Sequence, residues 1–249
     1  MPKTDGAAER TPLLELLAEE FSEAAASAVK EAGEPAYRVD QLKGWLYERT
    51  PLSFQDMEGL PRSLRTHLEE QFILHPLEYD LDLLSEDGTR KFLWKQERDD
   101  SRIESVLIPD GDRVTYCIST QAGCPVKCTF CATGYGGFAG NLSAAEIIDQ
   151  VVQIRKRTGQ APTNLVFMGM GEPLLNRAAL EEAIRIFLHP RAFALAPRRV
   201  TVSTVGVVPQ IAPLLSSVPV NLAVSLHASS DAVRDRLVPL NKRYPLAVL

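Results

Sequence analysis

From about residue 115 onward, short runs of apolar β-formers alternate with amphipathic helical segments, and this alternation constrains the fold more than any other feature of the chain. Strands are expected at 164–168, 199–205 and 219–225, and helices at 143–157, 177–188, near 208–215 and from about Ser230. Successive strand–helix units require a parallel sheet or barrel, because parallel neighbours need a crossover that a helix supplies. Ser143 followed three residues later by Glu146 is a capping box that starts the first of these helices.

Two other periods precede this one. Leu13, Leu14, Leu16, Leu17, Phe21 and Ala24 recur at helical spacing with Glu on the opposite face, and Gly33 and Pro35 stop that helix. Val39, Leu42, Trp45, Leu46 and Tyr47 suit a second helix, and Leu60 to Phe72 a third. From Glu78 the period falls to two. Leu81 and Leu83, then Phe92 and Trp94, flank an Asp87-Gly88 turn, and Ile103, Ser105 and Leu107 lead to a second turn at Asp110-Gly111. The expected division is a helical accessory domain over 1–76, a short antiparallel β meander over 77–114, and an α/β core over 115–249.

Composition excludes several classes. With 45% hydrophobic and 24% charged residues, 15 Gly and 17 Pro in 249, the chain is neither disordered nor collagen-like. No segment approaches the ~20 apolar residues of a membrane span, and the start MPKTDGAAERTP lacks the ~7–15-residue apolar stretch of a signal peptide. A cytoplasmic location without a membrane partner is expected. The net charge of -5 is unevenly spread: residues 1–87 hold 8 Lys/Arg against 19 Asp/Glu (-11), and residues 88–249 hold 19 against 13 (+6). The second part is compatible with a polyanionic substrate. The runs Arg155-Lys156-Arg157 and Arg198-Arg199 are compatible with phosphate contacts, but such runs are usually solvated faces.

Three of the four cysteines fall within eight residues, in Gly-Cys124-Pro-Val-Lys-Cys128-Thr-Phe-Cys131-Ala-Thr-Gly. The spacing is C-x3-C-x2-C, in a loop between an expected strand and a helix. Three thiolates from one short loop are ligands for an iron–sulfur cluster or for zinc. Structural zinc wants a fourth ligand, and the closest histidines in the sequence are His75 and His189. A four-iron cluster on three cysteines keeps one iron open for a chelating molecule.

This motif, with Phe130 before its third cysteine, resembles the signature of the radical S-adenosylmethionine (SAM) superfamily. The longer run from Cys117 through Gly134 to Gly137-Phe138 and Asn141-Leu142 resembles the RlmN-type RNA adenine methyltransferases within it. So do Phe167-Met-Gly-Met-Gly171-Glu172-Pro173-Leu174-Leu-Asn176, Val202-Ser203-Thr204-Val-Gly206 and Ala223-Val-Ser225-Leu226-His227-Ala228. The likeness runs from Tyr37-Arg38, Gln41 and Trp45 to Asn241-Lys242. It implies a 4Fe-4S cluster on Cys124, Cys128 and Cys131, with SAM chelated at the open iron and cleaved by the reduced cluster to a 5′-deoxyadenosyl radical. An electron donor such as flavodoxin is implied with it. The implied fold is a radical SAM barrel of (βα)6 type, here partial and lacking its C-terminal units.

By the same resemblance, Gly171 and Glu172 take the methionyl part of SAM, and Ser203, Ser225, Leu226 and His227 its ribose and adenosine. Glu104 is the implied proton acceptor. Cys117 is the implied resolving thiol, which releases a covalent enzyme–RNA adduct by forming a disulfide. The implied reaction methylates carbon 2 of an adenine in large-subunit (23S) ribosomal RNA, and in tRNA, through a methyl-carrying cysteine. Carbon 8 methylation, or a cluster-holding RNA-binding fragment without turnover, are the alternatives. No cysteine beyond Cys117, Cys124, Cys128 and Cys131 is present in this sequence to carry the methyl group. After the accessory region and meander about four strand–helix units follow, at roughly 30 residues each, and a six-unit barrel needs ~60 more. The expectation is a methyltransferase truncated at its C-terminus, with its cofactor site mostly present.

Overall fold

The alternation of short strands and amphipathic helices resolves into one twisted sheet with its helices gathered on one face. The computed structural model describes residues 10–15 and 19–249. Leu16, Leu17 and the side chain of Phe21 lie outside the described residues. Strand β1 (Thr11–Pro12) leads into a 3-10 turn at Leu13–Glu15, followed by α1 (Glu19–Glu31), α2 (Arg38–Gly44) with a π-helical turn at Trp45–Arg49, and α3 (Arg62–Gln71). Strand β2 (Phe72–Ile73) pairs in parallel with β1. That pairing explains why Leu13 and Leu14, expected in a helix, form a tight turn instead: Thr11 and Pro12 are held extended beside Phe72, and both leucines are buried.

The meander comprises β3 (Leu77–Leu84), β4 (Arg90–Gln96), β5 (Arg102–Asp110) and β6 (Arg113–Cys117), all antiparallel. A small hairpin of β7 (Gln121–Gly123) and β8 (Phe138–Asn141) follows, with the one-turn α4 (Ala132–Tyr135) between its strands. Then come α5 (Ala144–Thr158), β9 (Asn164–Phe167), α6 (Arg177–Leu188), β10 (Val200–Thr204), α7 (Val208–Ser217), β11 (Asn221–Val224) and α8 (Asp231–Leu237). The sheet order is β11-β10-β9-β6-β5-β4-β3. Strands β6, β9, β10 and β11 are mutually parallel, the partial barrel, and the meander continues the same sheet through β6. The expected division at 114/115 falls inside β6.

Burial alternates along β4, β5, β9 and β10, as a sheet with one covered face requires. Phe92, Trp94, Ile103, Leu107, Tyr116, Leu165, Phe167, Val200 and Val202 are buried, in one core with Ile147, Ile148, Val151 and Ile154 of α5 and Leu180, Ile184 and Phe187 of α6. The other face carries the half-buried Leu93, Glu104, Val106, Cys117, Val166 and Ser203. The capping box of α5 forms as expected: Glu146 N donates to Ser143 Oγ at 3.2 Å and Ser143 N donates to Glu146 Oε2 at 2.7 Å.

Candidate cofactor site

The carboxyl ends of the parallel strands are where an α/β sheet gathers ligands, since the loops there converge above the sheet. Here the loop after β9 is drawn tightly onto the segment after β6. Met170 N donates to Ser119 Oγ at 2.8 Å, and Glu172 N donates to Gln121 Oε1 at 2.8 Å. In return Thr120 N and Gln121 N donate to Met170 O at 2.9 and 3.2 Å. Buried Gln150 of α5 fixes the lower segment, accepting from Ser119 N at 2.9 Å and donating to Ser119 O at 3.0 Å. The approach leaves no space for side chains at the two glycines. A Cβ on Gly169 would lie 2.7 Å from Ser119 Oγ, and one on Gly171, at φ 106°, 2.6 Å from Gln121 Cβ.

A cavity of about 290 Å³ opens above these loops. Cys124, Cys128 and Cys131 line it together with Gly171, Glu172, Ser203, Ser225 and His227. The cysteine loop is held from three sides. Cys124 N donates to Gly137 O at 2.8 Å, Thr129 N donates to Leu237 O at 3.0 Å, and Val126 and Cys128 pack on Val238. Phe130 leans on the His227 ring, centroids 4.2 Å apart. His227 adopts φ 60°, which turns the chain sharply beyond β11. Ser203, in β10, and Ser225, just past β11, have their hydroxyls 3.3 Å apart.

Glu172 is buried, with its carboxylate shared between two strand ends. Oε1 accepts from Leu174 N at 3.1 Å and Oε2 from Val205 N at 2.9 Å. Burial pushes its pKa up, against the lowering effect of the Val205, Thr204 and Leu174 hydrogen bonds. With three donors on its two oxygens, the carboxylate keeps about one further acceptor site. Glu172 therefore caps the 3-10 turn at Pro173–Asn176 and faces the cavity at once.

The remaining expected site residues lie elsewhere. Leu226 does not line the cavity; its carbonyl accepts from Arg234 Nε at 3.0 Å and its side chain is exposed. Glu104 lines a second cavity, of about 430 Å³, with Ser101, Arg102, Gly123, Thr133, Gly137 and Met170. Its carboxylate pairs with Lys91 Nζ at 3.0 Å across the sheet. The two cavities meet at the loop after β9, where Met168 and Gly169 face one and Met170 the other. Cys117, at the end of β6, lines neither. Burial raises its pKa, offset in part by a Met168 backbone hydrogen bond. All four cysteines are free thiols, so the disulfide implied for Cys117 is not formed.

Residues 118–245 match the family described as the radical SAM superfamily, and residues 16–74 match the ribosomal RNA large subunit methyltransferase N-terminal domain. The chain belongs to the radical SAM superfamily. Its sequence is similar to RlmN-type methyltransferases. A probable dual-specificity RNA methyltransferase RlmN of Gemmatimonas aurantiaca is 48% identical over 217 residues, 86% of this chain and 60% of the relative. The dual-specificity RNA methyltransferase RlmN of Geobacter sulfurreducens is 46% identical over 218 residues, 87% of this chain and 59% of the relative. The crystal structure of a radical SAM methyltransferase from Sphaerobacter thermophilus superimposes with a TM-score of 0.88 at 40% identity, covering 96% of this chain and 70% of that one. The chain thus spans about 60% of the length of the curated relatives it matches.

The radical SAM family implies a 4Fe-4S cluster and SAM, and the residues present fit both. Burial, and then the neighbouring thiols and Glu172, push Cys128 up to about 11; burial likewise raises Cys124. A cationic occupant would favour loss of the protons from these two thiols. Among the described residues no three Cys, His, Asp or Glu side chains converge to hold a single metal ion. Three thiols of one short loop that line one cavity fit three corners of a four-iron cube. The two histidines considered as a fourth zinc ligand are engaged: His75 with Asp149 and Pro51, His189 with Arg191 N.

Sequence reasoning missed the residues that brace the site, notably Gln121, Gln150 and Arg234. Arg234 is buried in α8, yet with Asp231 three residues before it the sequence reads as an ordinary surface charge pair. No local signal marks it.

Proposed function

We propose that these residues form the cofactor-binding part of a radical SAM RNA methyltransferase that acts on carbon 2 of adenine in 23S ribosomal RNA and in tRNA. The observation that carries this reading is the single cavity shared by three thiols and by Gly171, Glu172, Ser203, Ser225 and His227. Cys124, Cys128 and Cys131 hold the cluster. Gly171 and Glu172 take the methionyl end of SAM, the backbone lying close and the carboxylate accepting from its ammonium. Ser203, Ser225 and His227 face its ribose and adenine, with Leu226 contributing only the backbone between them. When bound, the cluster and SAM supply one-electron chemistry that no side chain provides.

The target base enters the neighbouring cavity, where Glu104, paired with Lys91 Nζ at 3.0 Å, is its proton acceptor. Cys117 is the thiol that releases product, and the methyl-carrying thiol has to come from outside the four cysteines of this sequence. RNA, a one-electron donor protein and a cytoplasmic setting follow from this reading. Among the described residues no helix is long and apolar enough to cross a membrane.

The test is anaerobic reconstitution with iron and sulfide, chemical reduction, and assay for 5′-deoxyadenosine. Formation of that product, abolished by Cys128→Ala, is the expected result. A reconstituted, reduced chain that leaves SAM intact would sink the proposal. Nucleoside analysis of RNA treated with a full-length relative carrying this segment then separates carbon 2 from carbon 8 methylation.

A further inference from the structure

Arg234 has an unusual environment for a charged side chain. It is 1% exposed, and among the described residues no carboxylate lies within salt-bridge distance of it. Its donors are spent on oxygens at the cavity's edge instead. Nε donates to Leu226 O at 3.0 Å, Nη2 to Val205 O at 2.5 Å and to Ser225 O at 3.4 Å, and Nη1 to Asn241 Oδ1 at 2.6 Å. Asn241 is fixed in turn by Asp231 and Asp235, to which its Nδ2 donates at 2.8 and 2.6 Å. Val205 follows β10, and Ser225 and Leu226 follow β11. One guanidinium therefore ties together the carboxyl ends of two adjacent strands that wall the cavity.

We propose that Arg234 is the positioning residue of the SAM cavity, holding the turns after β10 and β11 in the geometry that SAM binding requires. The reasoning runs through the chemistry of the group. Pairing within the sheet ends at Thr204–Val224, and beyond it the chains diverge. Carbonyls exposed there by the sharp turn at His227 need donors. A planar fork of five N–H groups can serve several carbonyls with fixed angles, which the three donors of a lysine on a flexible stem cannot. Ser225 and Val205 line the cavity, so the clasp acts one layer behind it and touches no ligand. Burying a cation among neutral carbonyls is costly, and a side chain needed only for packing would not require it.

The inference rests on the cavity being the SAM site, and the experiment separates the two ideas. Arg234→Lys and Arg234→Gln are prepared alongside the unaltered chain and reconstituted anaerobically. Iron content, SAM affinity by equilibrium dialysis, and the change in the reduced cluster's electron paramagnetic resonance on adding SAM are measured. Both variants are expected to load iron as the unaltered chain does. Both should bind SAM at least tenfold more weakly and lose the SAM-induced spectral change. Unaltered SAM affinity in Arg234→Lys would overturn the clasp, since charge without the fork would then suffice. An unaltered chain that loads iron but binds no SAM would overturn the reading of the cavity itself.

A readout on the unaltered chain covers the case in which the variants fail to fold. SAM should slow amide exchange across 205–207 and 225–228 together, because one side chain couples them. Protection of 168–172 alone would count against Arg234.

Discussion

Glu172 Oε2, in the loop after β9, accepts a 2.9 Å hydrogen bond from Val205 N beyond the next strand, 33 residues on in the chain. With Arg234 on the other side of Val205, this carboxylate makes a chain of backbone contacts from β9 to β10 to β11. The candidate site is thus a set of strand ends stitched by two buried charged groups, one anionic at the thiol side and one cationic behind the serines.

Gly171 has φ 106° and lies against Gln121, so a methyl group there meets both a backbone strain and a collision. Gly171→Ala should cost about 2 kcal/mol or more in stability. It should also displace Glu172 and weaken SAM binding. Chemical denaturation and equilibrium dialysis measure the two effects; a variant equal to the unaltered chain in both would contradict the close packing described.

Loss of one thiol should abolish cluster loading. Cys128→Ala is expected to retain well under one iron per chain after anaerobic reconstitution, against about four for the unaltered protein. Cys117→Ala should load iron normally, because Cys117 lies outside the cysteine cavity. Iron retained by the first variant, or lost by the second, would refute the ligand set.

The charge state of His75 predicts a pH dependence of stability. Its Nδ1 lies 2.5 Å from Asp149 Oδ1 and its Nε2 2.8 Å from Pro51 O. Burial disfavours the charged ring, but the Asp149 carboxylate and the Pro51 carbonyl outweigh it, and the pKa is raised above 6.5. A raised histidine pKa means the protonated ring stabilises the fold. That contribution is complete below about pH 6.5 and disappears as the pH rises through the folded-state value. Thermal midpoints should therefore fall above neutrality by a step that His75→Gln lacks; parallel pH profiles would refute it.

Ser143→Ala removes the capping box of α5, and the expected loss is about 1 kcal/mol. Glu146 stays anchored through Gln96 Nε2 at 2.6 Å, so the helix itself persists. Urea denaturation should show an unchanged slope and a lower midpoint.

Much of the architecture was legible residue by residue. Helix and strand ranges from 143 to 237 follow from hydrophobic periods of 3.6 and 2, and the Ser143–Glu146 cap forms as the sequence implies. The C-x3-C-x2-C loop was equally readable, because ligand spacing is a local property. The basic run at 155–157 was not. Arg155 Nη1 donates to Tyr47 O at 2.8 Å, and Arg157 lies 3.8 Å from the Tyr79 ring centroid, so two of its three charges are turned inward on the helical unit and the meander. Charge runs carry no information on which face they occupy.

Sequence alone determined the alternation of strands and helices after residue 143, the two Asp-Gly turns of the meander and the three thiols, since each depends on neighbours a few residues away. Only the tertiary structure decided that Glu104 lines a cavity beside the cysteine loop, that the Leu226 side chain is exposed outside the cysteine cavity, and that Arg234 is buried. Those outcomes depend on how strand ends from β5 to β11 pack side by side. Residues far apart in the chain compete there for the same backbone oxygens, and no local period records which of them wins.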